Sequence, residues 1–168
     1  MLNEFYLKED TLKELKDVFE SDSSVVMQDA ITQTIDLPES ILEQDPLHAR
    51  WERADFEFTV LNDYFAKFGI TDLKFEVIRL GWKDYEILTD DAAYCGAEVL
   101  IDLTDSWDSS WGGEVRYTDG DENLLMIPIK KNMICITKLG ALHRYITYCN
   151  HHCNGHKRVL LVGRGKVK

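Results

Sequence analysis

The chain has 168 residues, of which 45% are hydrophobic and only three are prolines, so it can bury one core and is not intrinsically disordered. Its formal net charge of −11 produces a negative field that repels phosphate backbones, which argues against nucleic acid as a partner. No apolar stretch approaches the about 20 residues needed to cross a bilayer, and the N-terminus lacks the basic and apolar regions of a signal peptide. We therefore expect a cytoplasmic protein without a membrane partner, whose four cysteines are thiols.

The first part of the chain carries helical patterns. A capping box at Thr11 predicts a helix over about 11–20, and the β-branched residues of 24–36 predict an extended strand. Over 47–68, apolar residues recur at the spacing of one buried helical stripe, and Gly69 follows as a C-cap. The stripe consists of Trp51, Ala54, Phe58, Leu61, Tyr64, Phe65 and Phe68. This segment is the predicted long helix of the fold.

After residue 72 the pattern changes to short β-rich segments separated by Gly, Asp and Asn turns. The predicted strands are 73–82, 98–104, 114–118, 124–129, 133–139, 142–149 and 158–162. Helices followed by such strands predict an α+β fold with a sandwich or barrel core. We predict a single domain over 1–168, in which 1–72 is mostly helical support packed outside a β core formed by 73–163.

The most specific motif is a strand, a Trp and Gly-Gly turn and a second strand over 102–115. It is preceded by the segment 83–91 and followed by the segments 141–145 and 156–163. In this order the pieces resemble the 2-oxoglutarate/Fe(II)-dependent dioxygenases, especially the prolyl-4-hydroxylase-like branch. The resemblance spans about residues 73–163 and implies a double-stranded β-helix, or jelly roll.

The resemblance also implies site residues. This family holds ferrous iron through a His-x-Asp pair and a distant histidine, and a basic residue pairs with the far carboxylate of 2-oxoglutarate. The segment 88–90 aligns with the His-x-Asp pair, so that Asp90 matches the carboxylate ligand. His143 matches the distant histidine, and Arg158 matches the 2-oxoglutarate-binding base. The proximal histidine is replaced by Leu88, which has no lone pair for a metal, so the implied centre is incomplete.

Each candidate also has a purely structural interpretation. Asp90 is typical of a solvated turn acid, His143 of a core histidine, and Arg158 of a surface ion pair in an acidic protein. The Trp and Gly-Gly motif is interpreted as a turn former. Three nearby side chains are alternative metal ligands at the vacant position: Asp91, Tyr94 and Cys95.

Two functional hypotheses follow, with a weaker third. The first is a dioxygenase-like hydroxylase with an incomplete metal centre, for which Leu88 puts both Fe(II) and 2-oxoglutarate in question. The second is a catalytically inactive jelly roll that binds a small acid, a peptide or a protein partner. The third is a zinc module built on the Cys and His residues of 149–156, although its spacing lacks a second ligand pair.

Overall fold

In a computed structural model, the described residues are 1–45, 49–87, 96–120, 123–140 and 142–168. They form two α-helices, α1 (Glu9–Asp22) and α2 (Asn62–Ala66), besides three short 3-10 turns. Strands β1 to β11 are, in chain order, Ser24–Met27, Ile41–Asp45, Ala49–Phe56, Ile70–Leu80, Tyr85–Glu86, Ala97–Asp102, Val115–Thr118, Asn123–Ile127, Met133–Lys138, His143–Ile146 and Arg158–Val167.

The strands belong to one hydrogen-bonded sheet in two halves. One half has the order β1, β9, β6, β11, β4 and β3, and the other has the order β5, β10, β7 and β8, while β2 pairs with β3. Strand β3 connects the halves, because it pairs with β4 near Phe56 and with β5 at Ala49 and Arg50. All the strand pairs described are antiparallel.

The two halves face each other across a buried interior. Leu100 of β6 and Leu160 of β11 share one apolar cluster with Tyr117 of β7 and Ile146 of β10. These strands are far apart in the order of the sheet, so a flat sheet cannot bring their side chains together. The sheet therefore folds over on itself as a jelly roll.

The helices cover the outer face of the first half. Val99 and Ile101 of β6 belong to a second apolar cluster, together with Phe19 of α1 and Phe65 of α2. Because successive side chains point to opposite faces of a strand, β6 separates the roll interior from the helical layer. The predicted α+β jelly roll with N-terminal helices outside is confirmed.

The helix predicted over 47–68 is wrong. This segment contains the whole of β3, a connecting turn and α2, which has only five residues. The buried members of the predicted stripe are Phe58, Leu61, Tyr64, Phe65 and Phe68, and Phe58 lies in the connecting turn and not in a helix. In β3, the residues that face the roll interior include Arg53 and Asp55. Because these inward positions are charged, the sequence of β3 lacks the alternation of apolar and polar residues that identifies a strand. Residues 1–72 therefore supply strands as well as helices.

Other local predictions fare better. Helix α1 contains the whole of the predicted 11–20 segment, and all the strands predicted after residue 72 are present. The strand predicted over 24–36 is shorter, because β1 ends at Met27 and Ile31 makes only an isolated bridge to Leu2. Among the described residues, no helix has both the length and the apolar character required to span a membrane.

Strand β11 has a glycine where it passes close to an aromatic ring of β4. Gly163 is paired with Phe75 of β4, and a Cβ at this position would overlap the Phe75 ring. That ring is held between Phe58 and Phe65, with ring centroids 5.2 and 6.3 Å away. A side chain at residue 163 would have to displace this ring from its packing, so the close approach of the two strands favours glycine.

We predict that Gly163→Ala lowers the free energy of unfolding by about 1–3 kcal/mol through overpacking, as measured by urea denaturation. Gly81→Ala is the matched control, because its Cβ would meet only the flexible end of Lys157, at 3.1–3.3 Å. Equal stabilities of the two variants would contradict the packing argument.

Candidate functional site

Strand β10 carries the predicted distant histidine, but a different residue points into the roll. Arg144 and Ile146 are buried, whereas His143 and Tyr145 are only partly buried. Ile146 belongs to the interior cluster, so the face of β10 that it shares with Arg144 points inward. His143 lies on the opposite face. The interior position at this end of β10 is therefore an arginine.

Arg144 forms ion pairs with carboxylates from both halves of the sheet. Its Nε and Nη2 donate to the two carboxylate oxygens of Glu86 at 3.0 and 3.1 Å, and its Nη1 donates to Glu98 at 3.0 Å. The side chain of Arg144 is 4% exposed and that of Glu98 is fully buried. Burial lowers the pKa of the guanidinium, but the two carboxylates outweigh this effect and raise the pKa of Arg144 well above its ordinary value.

Glu98 is the shared anion of this arrangement. It also accepts a hydrogen bond from the Tyr117 hydroxyl at 2.6 Å and one from Nε of Arg164 at 3.0 Å. Burial by itself raises the pKa of Glu98, but Arg144, Arg164 and the Tyr117 hydroxyl bring that pKa below its ordinary value. Glu98 is therefore ionised at neutral pH. We refer to Glu86, Glu98, Tyr117, Arg144 and Arg164 as the interior charge cluster.

Arg158, the predicted 2-oxoglutarate base, lies at the other end of β11 and is fully buried. Its Nη2 donates to Asp102 at 3.1 Å, and its Nη1 donates to the carbonyl oxygen of Gly113. Asp102 is also fully buried, and its other oxygen accepts the backbone N–H of Thr104 at 3.0 Å. Burial lowers the pKa of Arg158 and the Asp102 carboxylate opposes this effect. Arg158 therefore forms a buried ion pair, and not the surface ion pair that the sequence suggested.

The described residues do not include a complete iron site. Leu88 and Asp90 lie outside the described residues, as do the alternative ligands Asp91, Tyr94 and Cys95. In the part of the chain that is described, no three His, Cys, Asp or Glu side chains are grouped closely enough to hold a metal ion. Nη1 and Nη2 of Arg158 are bonded inside the protein, whereas its buried Nε has no hydrogen-bond partner among the described residues. The roles assigned to Asp90, His143 and Arg158 remain predictions.

The glycines of the Trp and Gly-Gly motif have the turn-forming geometry that the sequence suggested. Gly112 and Gly113 have φ angles of 81° and 72°, which glycine adopts without strain. A Cβ on Gly112 would overlap the carbonyl oxygen of Tyr148. The indole Nε1 of Trp107 donates to the carbonyl oxygen of Gly112 at 2.8 Å and fixes the turn.

The Cys and His loop does not have the geometry of a zinc site. Cys149 and Cys153 are buried thiols, whereas His151 and His152 are exposed. Burial raises the pKa of Cys149 to about 12, which opposes the thiolate form that zinc requires. This geometry gives no support to the zinc hypothesis.

Comparison with known proteins gives matches in structure but not in sequence. No protein-family model matches the chain, and no curated protein matches its sequence. A Pseudomonas putida prolyl-4-hydroxylase superposes with a TM-score of 0.68 at 10% identity, covering 94% of this chain and 99% of that chain. A 2OG-Fe(II) oxygenase family oxidoreductase from Burkholderia pseudomallei has a TM-score of 0.68 at 12% identity, covering 95% and 92%.

A third match is a Trichoplax adhaerens prolyl hydroxylase, in complex with a peptide fragment of the hypoxia inducible factor oxygen degradation domain. Its TM-score is 0.69 at 9% identity, and the match covers 95% of this chain and 94% of that chain. At these identities the matches establish the fold and not the activity. The resemblance that the sequence predicted is confirmed at this level: the chain has the jelly-roll fold of the 2-oxoglutarate/Fe(II)-dependent dioxygenases.

Proposed function

We propose that this chain is a dioxygenase-like protein with an incomplete metal centre, and that it binds a ligand without oxidising it. The observation that carries the proposal is the position of Arg144. In the roll interior, this arginine already pairs with Glu86 and Glu98, and Arg164 supplies the second positive charge to Glu98.

The two carboxylates of the interior charge cluster are balanced by two guanidinium groups, those of Arg144 and Arg164. A divalent metal ion placed beside Arg144 would be repelled by its guanidinium. Removing one partner of a buried ion pair costs about 3–5 kcal/mol, so displacement of Arg144 by a ligand is strongly opposed. These contacts support a fold whose interior is stabilised by its own side chains.

Two further features support the absence of turnover. Leu88 has no donor atom for a metal at the position that aligns with the proximal histidine. Arg158 has its charge neutralised by Asp102 inside the protein. Leu88 is thus the wrong residue type for a metal ligand, whereas Arg158 has the type that the resemblance requires but is already paired.

We predict that the native chain binds Fe(II) weakly and releases no succinate from 2-oxoglutarate. Leu88→His should raise the affinity for Fe(II) by about tenfold or more, because it adds an imidazole ligand, without starting turnover. Anaerobic Fe(II) titration with 2-oxoglutarate present, followed by a succinate assay in air, measures both effects, with Leu88→Ala as the control.

Tight Fe(II) binding or succinate release by the native chain would contradict the proposed function. An affinity for Fe(II) that is equal in Leu88→His and Leu88→Ala would instead contradict the alignment of 88–90 with the His-x-Asp pair.

We predict that Glu98→Gln lowers the free energy of unfolding at pH 7 by about 3–5 kcal/mol, because Arg144 loses its fully buried partner. The folded-state pKa of Glu98 is lowered, so its ionised form stabilises the protein above the unfolded pKa of about 4.3. This stabilisation is lost as the pH falls through the folded pKa. The difference between the native chain and the variant should therefore shrink below about pH 4.

Urea denaturation at pH 7 and between about pH 3 and 5 measures both effects. Asp72→Asn is the control, because its pair with Lys166 is exposed, with side chains 65% and 74% accessible. Its cost should be about 0–1 kcal/mol, and asparagine tolerates the φ of 55° at residue 72. A difference between the native chain and Glu98→Gln that does not change with pH would contradict the ionised state of Glu98.

A further inference from the structure

The chain contains one Asn-Gly dipeptide, Asn154-Gly155, in the loop that connects β10 to β11. Both residues are exposed, and the side chain of Asn154 makes no hydrogen bond among the described residues. A Cβ placed on Gly155 would have no atom within 4 Å. The dipeptide therefore lies at an open position of a surface loop, where water reaches it from outside the fold.

An asparagine followed by glycine is the arrangement that loses its side-chain amide most readily. The backbone nitrogen of the glycine attacks Cγ of the asparagine, a new C–N bond closes a five-membered succinimide, and the side-chain nitrogen leaves as ammonia. Water then opens the ring at either of its carbonyl carbons, which gives aspartate or isoaspartate. Nothing is oxidised or reduced. Glycine permits the attack because it has no Cβ to hinder its own nitrogen.

Residues 153–156 form a type II turn around this dipeptide. Asn154 has φ −43° and ψ 118°, and Gly155 has φ 77°, as expected for the two central residues of such a turn. The N–H of His156 donates to the carbonyl oxygen of Cys153 at 2.7 Å and closes the turn. The N–H of Gly155 has no acceptor among the described residues, so no hydrogen bond holds the attacking nitrogen.

Ring closure requires one local change of conformation. The ψ angle of Asn154 must rotate away from its extended value before Cγ can approach the Gly155 nitrogen, and this rotation breaks the hydrogen bond that closes the turn. The open space around Gly155 offers no other resistance. An exposed turn of this kind opens locally, without unfolding of the sheet.

Asn150, in the same loop, has the opposite environment. Its side-chain oxygen accepts the N–H of His152 at 2.9 Å, and its side-chain nitrogen donates to the carbonyl oxygen of Ser110 at 2.7 Å. The residue after it is His151, whose Cβ hinders attack by the backbone nitrogen. Asn150 is therefore held in place, whereas Asn154 is free to react.

We propose that Asn154 is a site of spontaneous deamidation in the folded protein. The reaction needs only water, so it goes beyond the proposed function and does not depend on it. Both products add one negative charge to the loop. The isoaspartate product also adds one carbon to the main chain, in the turn that precedes β11.

The two products differ in their effect on the turn. The additional main-chain carbon of isoaspartate separates the donor and the acceptor that close the turn, which leads directly into Arg158, the buried first residue of β11. The ring of His156, in the same turn, lies 5.0 Å from that of Trp111. We expect the isoaspartate form to unfold at a lower urea concentration than the unmodified protein. Asn154→Asp should unfold at the same concentration as the unmodified protein, because its side chain is exposed and its turn is retained.

Incubation of the folded chain at mildly alkaline pH, followed by trypsin digestion and mass spectrometry, tests the proposal. Cleavage after Arg144 and Lys157 gives one peptide, 145–157, that contains both asparagines of the loop. We expect replacement of NH₂ by OH at Asn154 and an unmodified Asn150, located by the fragment ions. A digest without prior incubation is the control. The rate should rise with pH, since the attacking nitrogen must lose its proton.

Gly155→Ala should slow the modification of Asn154 by about tenfold or more, because its Cβ hinders the attacking nitrogen. Gly140→Ala is the matched control, since it also adds a methyl group into open space at a positive φ and should leave the rate unchanged. Asn154→Gln keeps Gly155 and its φ angle, and its side chain would have to close a slower six-membered ring. It should therefore remain unmodified.

The urea-unfolded chain gives the rate at Asn154 without the turn. An unmodified Asn154 in the folded chain, under conditions that modify it in the unfolded chain, would overturn the inference, because the turn would then protect the residue. Equal modification of Asn150 and Asn154 would overturn it as well. An unchanged rate in Gly155→Ala, with its fold verified by circular dichroism, would contradict the succinimide route.

Discussion

The fold depends on one buried cation, Arg144, that holds together two parts of a folded sheet. Its guanidinium spans from Glu86 in one half to Glu98 in the other, and Glu98 in turn holds Tyr117 and Arg164. The apolar cluster alone brings the two halves together without a unique alignment, because apolar contacts have little directional preference. The charged hydrogen bonds supply direction, since each requires a donor and an acceptor at a fixed separation. These contacts therefore stabilise the roll interior with the protein's own side chains.

Much of the fold was predictable, because the strand segments after residue 72 are short, apolar and bounded by turn residues. The long helix over 47–68 failed where the alternation of β3 is hidden by Arg53 and Asp55, two charges that face inward at an open end of the roll. The interior charge cluster was also missed. Glu98 belongs to a strand in which every residue is buried, and a charge in such a strand requires a partner. The sequence contained that signal, but Arg144 is 46 residues away from Glu98, and only the tertiary structure identifies the pair.

The candidate site residues illustrate what a linear motif can and cannot specify. His143 and Arg144 are adjacent in β10 and therefore face opposite sides of the strand. The sequence motif does not indicate which of the two faces the interior. Arg158 is inside the protein, but its charge has a partner in Asp102 that no spacing rule predicts. The proposed binding function therefore depends on the pairing of Arg144 and Arg158 as well as on the residue type at position 88.

Strand β3 has a consequence for how the protein unfolds. Because it pairs with β4 and also with β5, the backbone hydrogen-bond ladder continues from one half of the roll to the other. Separating the halves therefore means breaking main-chain hydrogen bonds as well as side-chain contacts. The two halves therefore form one cooperative unit, in which amide hydrogens on both sides of β3 exchange with solvent through the same global opening.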